Sequence, residues 1–160
     1  MAMRYFVSLL SAAVLSSVSL SAQALTAQQT VQKETTVVAA DGSILTVRET
    51  AEKIVPGERI VYSLNYENDA AAPANDIVLT MPIPPEVKFI EGTADAPQTN
   101  VTYSADGGES FSSRQSVMLI DNSGNIRAAS ADELTHIRWT VPGPIPAGDS
   151  GALSFSASVR

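Results

Sequence analysis

The chain has 160 residues, with 17 Asp and Glu against 10 Lys and Arg, a formal net charge of −7 and no Cys. So acidic a surface repels nucleic acid and anionic lipid, and neither is expected as a partner. Without thiols there is no disulfide, no thiol nucleophile and no Cys-ligated metal, so packing and backbone pairing must hold the fold.

Met1 to Arg4 is a short basic lead, Tyr5 to Leu20 carries no charge, and Ala22-Gln23-Ala24 sets small residues at the two positions a signal peptidase reads. That order predicts a signal peptide over 1–24, cleavage after Ala24, and export to the periplasm or the cell exterior. The competing reading is a membrane anchor. The uncharged run, interrupted by several Ser, falls short of the ~20 residues a helix needs to span a bilayer. No stable membrane insertion is expected.

From Leu25 to Arg160 the chain is long enough for one domain with its own core. Thr30 to Lys53 offers two strand-like runs around Asp41-Gly42, rich in Val, Ala and Thr, so a strand arm over 25–54 precedes the main domain at 55–160. In "IVYSLNY", Ile60, Tyr62, Leu64 and Tyr66 alternate with Val61, Ser63 and Asn65, the pattern of a half-buried strand. "DIVLTM" aligns Ile77, Leu79 and Met81, and Pro82, Pro84 and Pro85 then end the ladder. Val87 to Ile90 resumes it. Two hairpins follow, one turning at Asp106-Gly107-Gly108 and one at Asn122 to Asn125. "SADEL" predicts one helical turn, with Ser130 and Glu133 at capping-box spacing. Leu134 to Val141 and Ala152 to Val159 close the set, the first turning Trp139 inward with Ile137 and the second Phe155 with Leu153. Short alternating segments punctuated by Pro, Gly, Asn and Asp describe an all-β sandwich, with Tyr62, Leu64, Trp139 and Phe155 as core residues.

Several stretches resemble chemistry. Gly148-Asp149-Ser150-Gly151 copies the tetrapeptide around the nucleophile of chymotrypsin-like proteases. A Ser hydroxyl needs a base and a group that orients the base, and His136 is the only imidazole in the chain. A corner at Pro146 to Gly148 leading into the last strand explains the same residues without catalysis. His136 and Arg138 form a cationic spot on the outward face of their strand. Asp121 to Asn125 resembles the start of a calcium loop, but its twelfth position is Asp132 rather than Glu, and a hairpin turn suffices. Glu49, Glu52 and Glu58 read as a solvated acidic cluster. Asn100-Val101-Thr102 fits a glycosylation acceptor.

"VPGERIVYSLNYEND", "APANDIVLTMPIPPEVKFIEGTA" and "HIRWTVPGPIPAGDSGALSFSASV" occur here in a known order. Together, from Val55 onward, they resemble the bacterial cell-surface family catalogued as domain of unknown function number eleven. The matching residues are Pro56-Gly57-Glu58, Tyr62 to Asn68, Asn75 to Ile77, Pro82 to Ile90 and Ile145 to Phe155. The resemblance implies an immunoglobulin-like antiparallel sandwich of about seven to nine strands, in an envelope-associated or filamentous surface protein. It supplies no catalytic residue. Members of that family carry several copies, and this chain carries one.

The expectation is therefore a non-catalytic exported structural protein of the envelope or extracellular matrix, with no cofactor and no metal. Its partner is another protein or another copy of itself, met through sheet edges. The arm supplies the candidate strand-addition residues Val31, Lys33, Thr35 and Val37, whose plainer reading is an ordinary first strand. The alternative is a monomeric periplasmic or secreted module that binds a sugar, a peptide or calcium.

Overall fold

The alternation that begins at Ile60 becomes a long strand that turns Ile60, Tyr62, Leu64 and Tyr66 inward, although Val61 on its other face is buried as well. The computed structural model describes Leu25 to Arg160 apart from Glu52 and Asp95; the expected leader over 1–24 lies outside the described residues. Among the described residues there are ten strands: β1 (Leu25–Val38), β2 (Ile44–Thr50), β3 (Arg59–Asn68), β4 (Val78–Pro82), β5 (Val87–Phe89), β6 (Asn100–Ser104), β7 (Met118–Ile120), β8 (Ile126–Ala128), β9 (His136–Thr140) and β10 (Ser150–Val159). They make a five-stranded sheet in the order β2-β1-β3-β10-β5, a three-stranded sheet β4-β9-β6, and a β7-β8 ribbon. Every neighbouring pair is antiparallel.

The two larger sheets face each other across one apolar cluster. Ile60, Tyr62, Phe155, Ala157 and Phe89 come from the first, and Leu79, Met81, Ile137, Trp139 and Tyr103 from the second. The fold is thus an all-β sandwich, consistent with an immunoglobulin-like arrangement. Tyr62 and Phe155 stack at 5.0 Å between ring centroids, and Phe89 meets Phe155 edge-on at 6.1 Å. Trp139 has no exposed surface, and its indole Nε1 donates to the Ala94 carbonyl at 2.8 Å, so its one polar atom is satisfied inside the core. Each such aromatic contributes roughly 1.5–3 kcal/mol by leaving water. Leu64 is only half-buried and packs against this cluster from its margin.

Local chemistry sets the element ends. Ser130 and Glu133 form the capping box at a 3₁₀ turn, Ala131–Glu133. β4 runs one residue further than the Pro82 stop expected from sequence, pairing Pro82 with His136 at the last rung. An edge strand tolerates that, because its outward amide needs no partner. The expected hairpin at Asp106 is reduced to one bridge, Tyr103 with Ser112, because the intervening loop folds around the Asp106 carboxylate instead. At the opposite end of the molecule, Asn68 is wholly buried. Its Nδ2 donates to the carbonyls of Ala72, Ile145 and Pro146, and its Oδ1 accepts from the Ala70 amide. One side chain thereby joins the loop after β3 to the loop before β10.

Among the described residues, no helix is long and apolar enough to cross a membrane.

Candidate functional site

β1 and β2 form a hairpin that outruns the sandwich. Pairing of β1 with β3 ends at Glu34 opposite Arg59, whereas pairing with β2 continues from Gln32 opposite Thr50 to Val38 opposite Ile44. At the base, Glu34 reaches both Arg48 and Arg59, tying β2 to β3 across β1. Lys33 pairs with Glu58 on the other face. That contact, together with the Val55 amide, holds the Glu58 carboxyl below its ordinary range. Beyond the base, the hairpin has only itself. The distal residues are nonetheless apolar: Val38 and Ile44 are each 73% exposed, and Leu45 50%. Register places Val38 and Ile44 on one face and Val37, Leu45 and Val47 on the other, so neither face is the polar one. Asp41 closes the turn by accepting from the Ser43 amide and hydroxyl.

The outer edge of β2 has no partner strand among the described residues. Its seven residues, "ILTVRET", contain no Pro and no Gly, and its charges, Arg48 and Glu49, sit at the base. The remaining edges of the two larger sheets are guarded, while the short β7-β8 ribbon also exposes Ile120 and Ile126. β5 is three residues long and follows Pro84-Pro85. β4 ends in Pro82, and β6 is bridged from outside by Ser112, whose amide and carbonyl both engage Tyr103. Short strands, prolines and covering loops are the usual means of blunting an edge, and β2 has none of them in its distal half.

The four residues expected to add a strand lie on β1. Val31 pairs with Tyr62, Thr35 with Val47 and Val37 with Leu45, while Lys33 has a rung on each side, Glu49 and Ile60. Within its own chain β1 is an inner strand of the sheet, and the open edge belongs to β2.

The protease-like residues fall apart. His136 lies on β9 and Ser150 on β10, in different sheets. Ile137, next to His136, and Leu153, three places after Ser150, are buried, so by alternation the His136 and Ser150 side chains point from opposite outer faces of the sandwich. The imidazole is half-buried, with Nδ1 3.2 Å from the Thr135 hydroxyl and the Gly108 backbone against the ring. Arg138, expected on an open face, is instead covered by Phe111, whose ring centroid lies 3.4 Å from the guanidinium carbon. The glycines of the tetrapeptide have packing reasons. Gly148 turns the corner at φ +79, and a Cβ on Gly151 would come within 2.4 Å of the Tyr66 hydroxyl, which lies across it.

The acidic loops are likewise occupied by their own backbone. Asp121 accepts from the amides of Asn125 and Ser123, which lower its pKa. Asp106 accepts from the Ser104 and Ser110 hydroxyls and the Ser110 and Glu109 amides, and sits well below the usual carboxylate range. Glu49 stands opposite Lys33, so with Glu58 it belongs to a mixed-charge base rather than an acidic cluster; Glu52 lies outside the described residues. Asn100 is exposed at the start of β6.

One other surface stands out. The outward face of β1, β3 and β10 carries Thr26, Gln28, Thr30, Ser63, Asn65, Ser150 and Ser154, with Glu67 on the rung between Thr26 and Ser150. Two shallow depressions lie there, one beside Glu67 and the other beside Arg48.

Comparison of the chain with protein-family models, curated proteins and solved structures finds no match in any of the three.

Proposed function

We propose that the chain is a non-catalytic exported structural protein of the cell envelope or extracellular matrix, which makes its contacts by adding a strand to the open edge of β2. The observation that carries this reading is the unguarded β2 edge on a hairpin that is apolar on both faces. An edge offers a row of backbone donors and acceptors, and apolar side chains flanking it strengthen any strand that pairs there. The resemblance of Val55 to Arg160 to a family of surface proteins agrees with the reading, as does the leader-like sequence over 1–24. A strand partner needs no cofactor and no cationic surface.

Val47→Lys tests the reading, since it sets a charge on the half-buried inner face of β2 without touching the core. Light scattering after size exclusion, with negative-stain microscopy, is expected to show concentration-dependent assembly for the wild type and its loss in the variant. Discrete monomers of the wild type at every concentration would refute it.

The second reading, a monomeric module for a sugar or peptide, rests on the hydroxyl and amide groups, with Glu67 among them, on the outward face of β1, β3 and β10. It predicts that a glycan array or peptide panel yields a binder whose affinity is lost in Asn65→Ala and unchanged in Val47→Lys.

A further inference from the structure

A guanidinium stays charged at any ordinary pH, and a chain of net charge −7 has carboxylates enough to partner each one. Arg48, Arg59, Arg114, Arg127 and Arg160 each have a carboxylate oxygen within 3.9 Å. Among the described residues Arg138 is the arginine that has none. It lies on β9, the middle strand of the three-stranded sheet, with Thr80 and Thr102 opposite it on the two sides and His136 two places along the same face. None of these neighbours is an acid. In the loop that crosses this face, Asp106 gives its oxygens to the Ser104 and Ser110 hydroxyls and the Glu109 and Ser110 amides. Phe111 is held between two fastened residues, Ser110 on that carboxylate and Ser112 on the Tyr103 backbone. Its ring lies 3.4 Å from the guanidinium carbon and covers one face of the plane. Arg138 Nε donates to the Thr80 hydroxyl at 3.3 Å. The two Nη atoms, the fork that grips a carboxylate in a bidentate pair, have no partner among the described residues.

We propose that Arg138 anchors a binding site for a carboxylated sugar, a uronic acid unit within an otherwise neutral glycan. The fork takes the carboxylate. The Thr80 and Thr102 hydroxyls and the Nε2 of His136, which has no hydrogen bond among the described residues, stand on the same face for the ring hydroxyls. The stack on Phe111 fixes the guanidinium plane before the ligand arrives, so less side-chain freedom is lost on binding. Two features favour a sugar of this kind. β9 is an inner strand, so an acidic peptide finds no free backbone to pair with there. The net charge of −7 opposes a ligand charged on every unit, so the carboxylates must be sparse. The site lies on the other sheet from β2 and is independent of strand addition.

Heteronuclear NMR of the full chain, titrated with galacturonate, reads the site through Arg138 Nε–H and the amides of Thr102, Phe111 and His136. These signals are expected to shift together and saturate. They should stay still with galactose and with the methyl ester of galacturonate, which lacks the charge. Acetate should bind about tenfold more weakly, having no hydroxyls to offer. Acetate, sulfate or a glutamate-containing tripeptide that binds as tightly as galacturonate would overturn the sugar assignment. No saturable shift at Arg138 with any of them would overturn the site itself. Arg138→Lys keeps the charge without the fork and should weaken galacturonate about tenfold or more, with thermal unfolding to confirm that it is folded. Equal binding by that variant would overturn the bidentate contact. Phe111→Leu leaves Arg138 in place and should weaken binding by a smaller factor; wild-type affinity there would overturn the role given to the stack.

Discussion

The two ends of β1 have opposite fates within one strand. From Leu25 to Glu34 it lies beside β3, and Leu25 and Val31 rest against the apolar cluster. From Thr35 to Val38 it has only β2 beside it, and its Val residues face water. The proximal half is the more polar, with three Gln, Lys33 and Glu34, and the distal half is Thr-Thr-Val-Val, so the more apolar half is the one with fewer neighbours. β-propensity makes both halves extended, but only packing against other elements makes a half stable in isolation. The sandwich is self-sufficient, whereas the distal hairpin is built like an interior and left without one. That contrast is the basis for reading it as a contact surface.

Substitutions should separate the two regions sharply. The largest effect is expected at Asn68→Asp, which replaces a donor to three carbonyls by a carboxylate in a fully buried corner. Chemical denaturation should show a loss of about 3 kcal/mol or more. Gly151→Ala comes next. The new methyl displaces the Tyr66 ring from its place across the strand, and a loss of about 1–2 kcal/mol with an altered near-ultraviolet tyrosine signal is expected. Ile44→Ser and Val38→Ser should change monomer stability by no more than about 0.5 kcal/mol, while weakening association. If they unfold the monomer as Asn68→Asp does, the division drawn here is wrong.

Acid offers a smaller and graded test. Arg127, with the Ser130 amide and hydroxyl, holds the Glu133 carboxyl down to about 2 against an ordinary value of 4.5, and Asp106 is held down by its hydroxyl and amide donors. Both values are depressed by folding, so the stabilisation is complete above the unfolded values and is lost as the pH falls through the folded ones. For Glu133 that window runs from 4.5 down to about 2. Thermal midpoints should be flat at neutral pH and decline within the window, with a shallower decline in Glu133→Gln. The groups are exposed, so the effect is modest. Both lie on the sandwich side, and the β2 edge should be indifferent to this titration.

Much of the body was legible from alternation. The pattern through Ile60, Tyr62 and Tyr66 named the inward face of β3, and period two put Trp139 and Phe155 inside. Continued by one step, the same alternation reaches Asn68, whose buried corner was therefore readable as a position though its three carbonyl partners were not. Pairing across the sequence was opaque. Nothing local to Gly151 reveals that Tyr66 lies over it, and nothing near Arg138 reveals Phe111. The arm illustrates the limit most clearly. Its two strands and turn follow from Asp41-Gly42 and the β-branched runs, but which strand would be outermost depends on β3 pairing with β1, a long-range choice that local pattern does not encode.

Hydrogen exchange on the backbone amides of Ile44 to Thr50, compared between dilute and concentrated protein, tests the central claim most directly. The outward amides of β2 should exchange rapidly when dilute and gain protection as concentration rises, while those of β3 and β10 stay protected throughout. Outward β2 amides that exchange at the same rapid rate at every concentration would contradict the account.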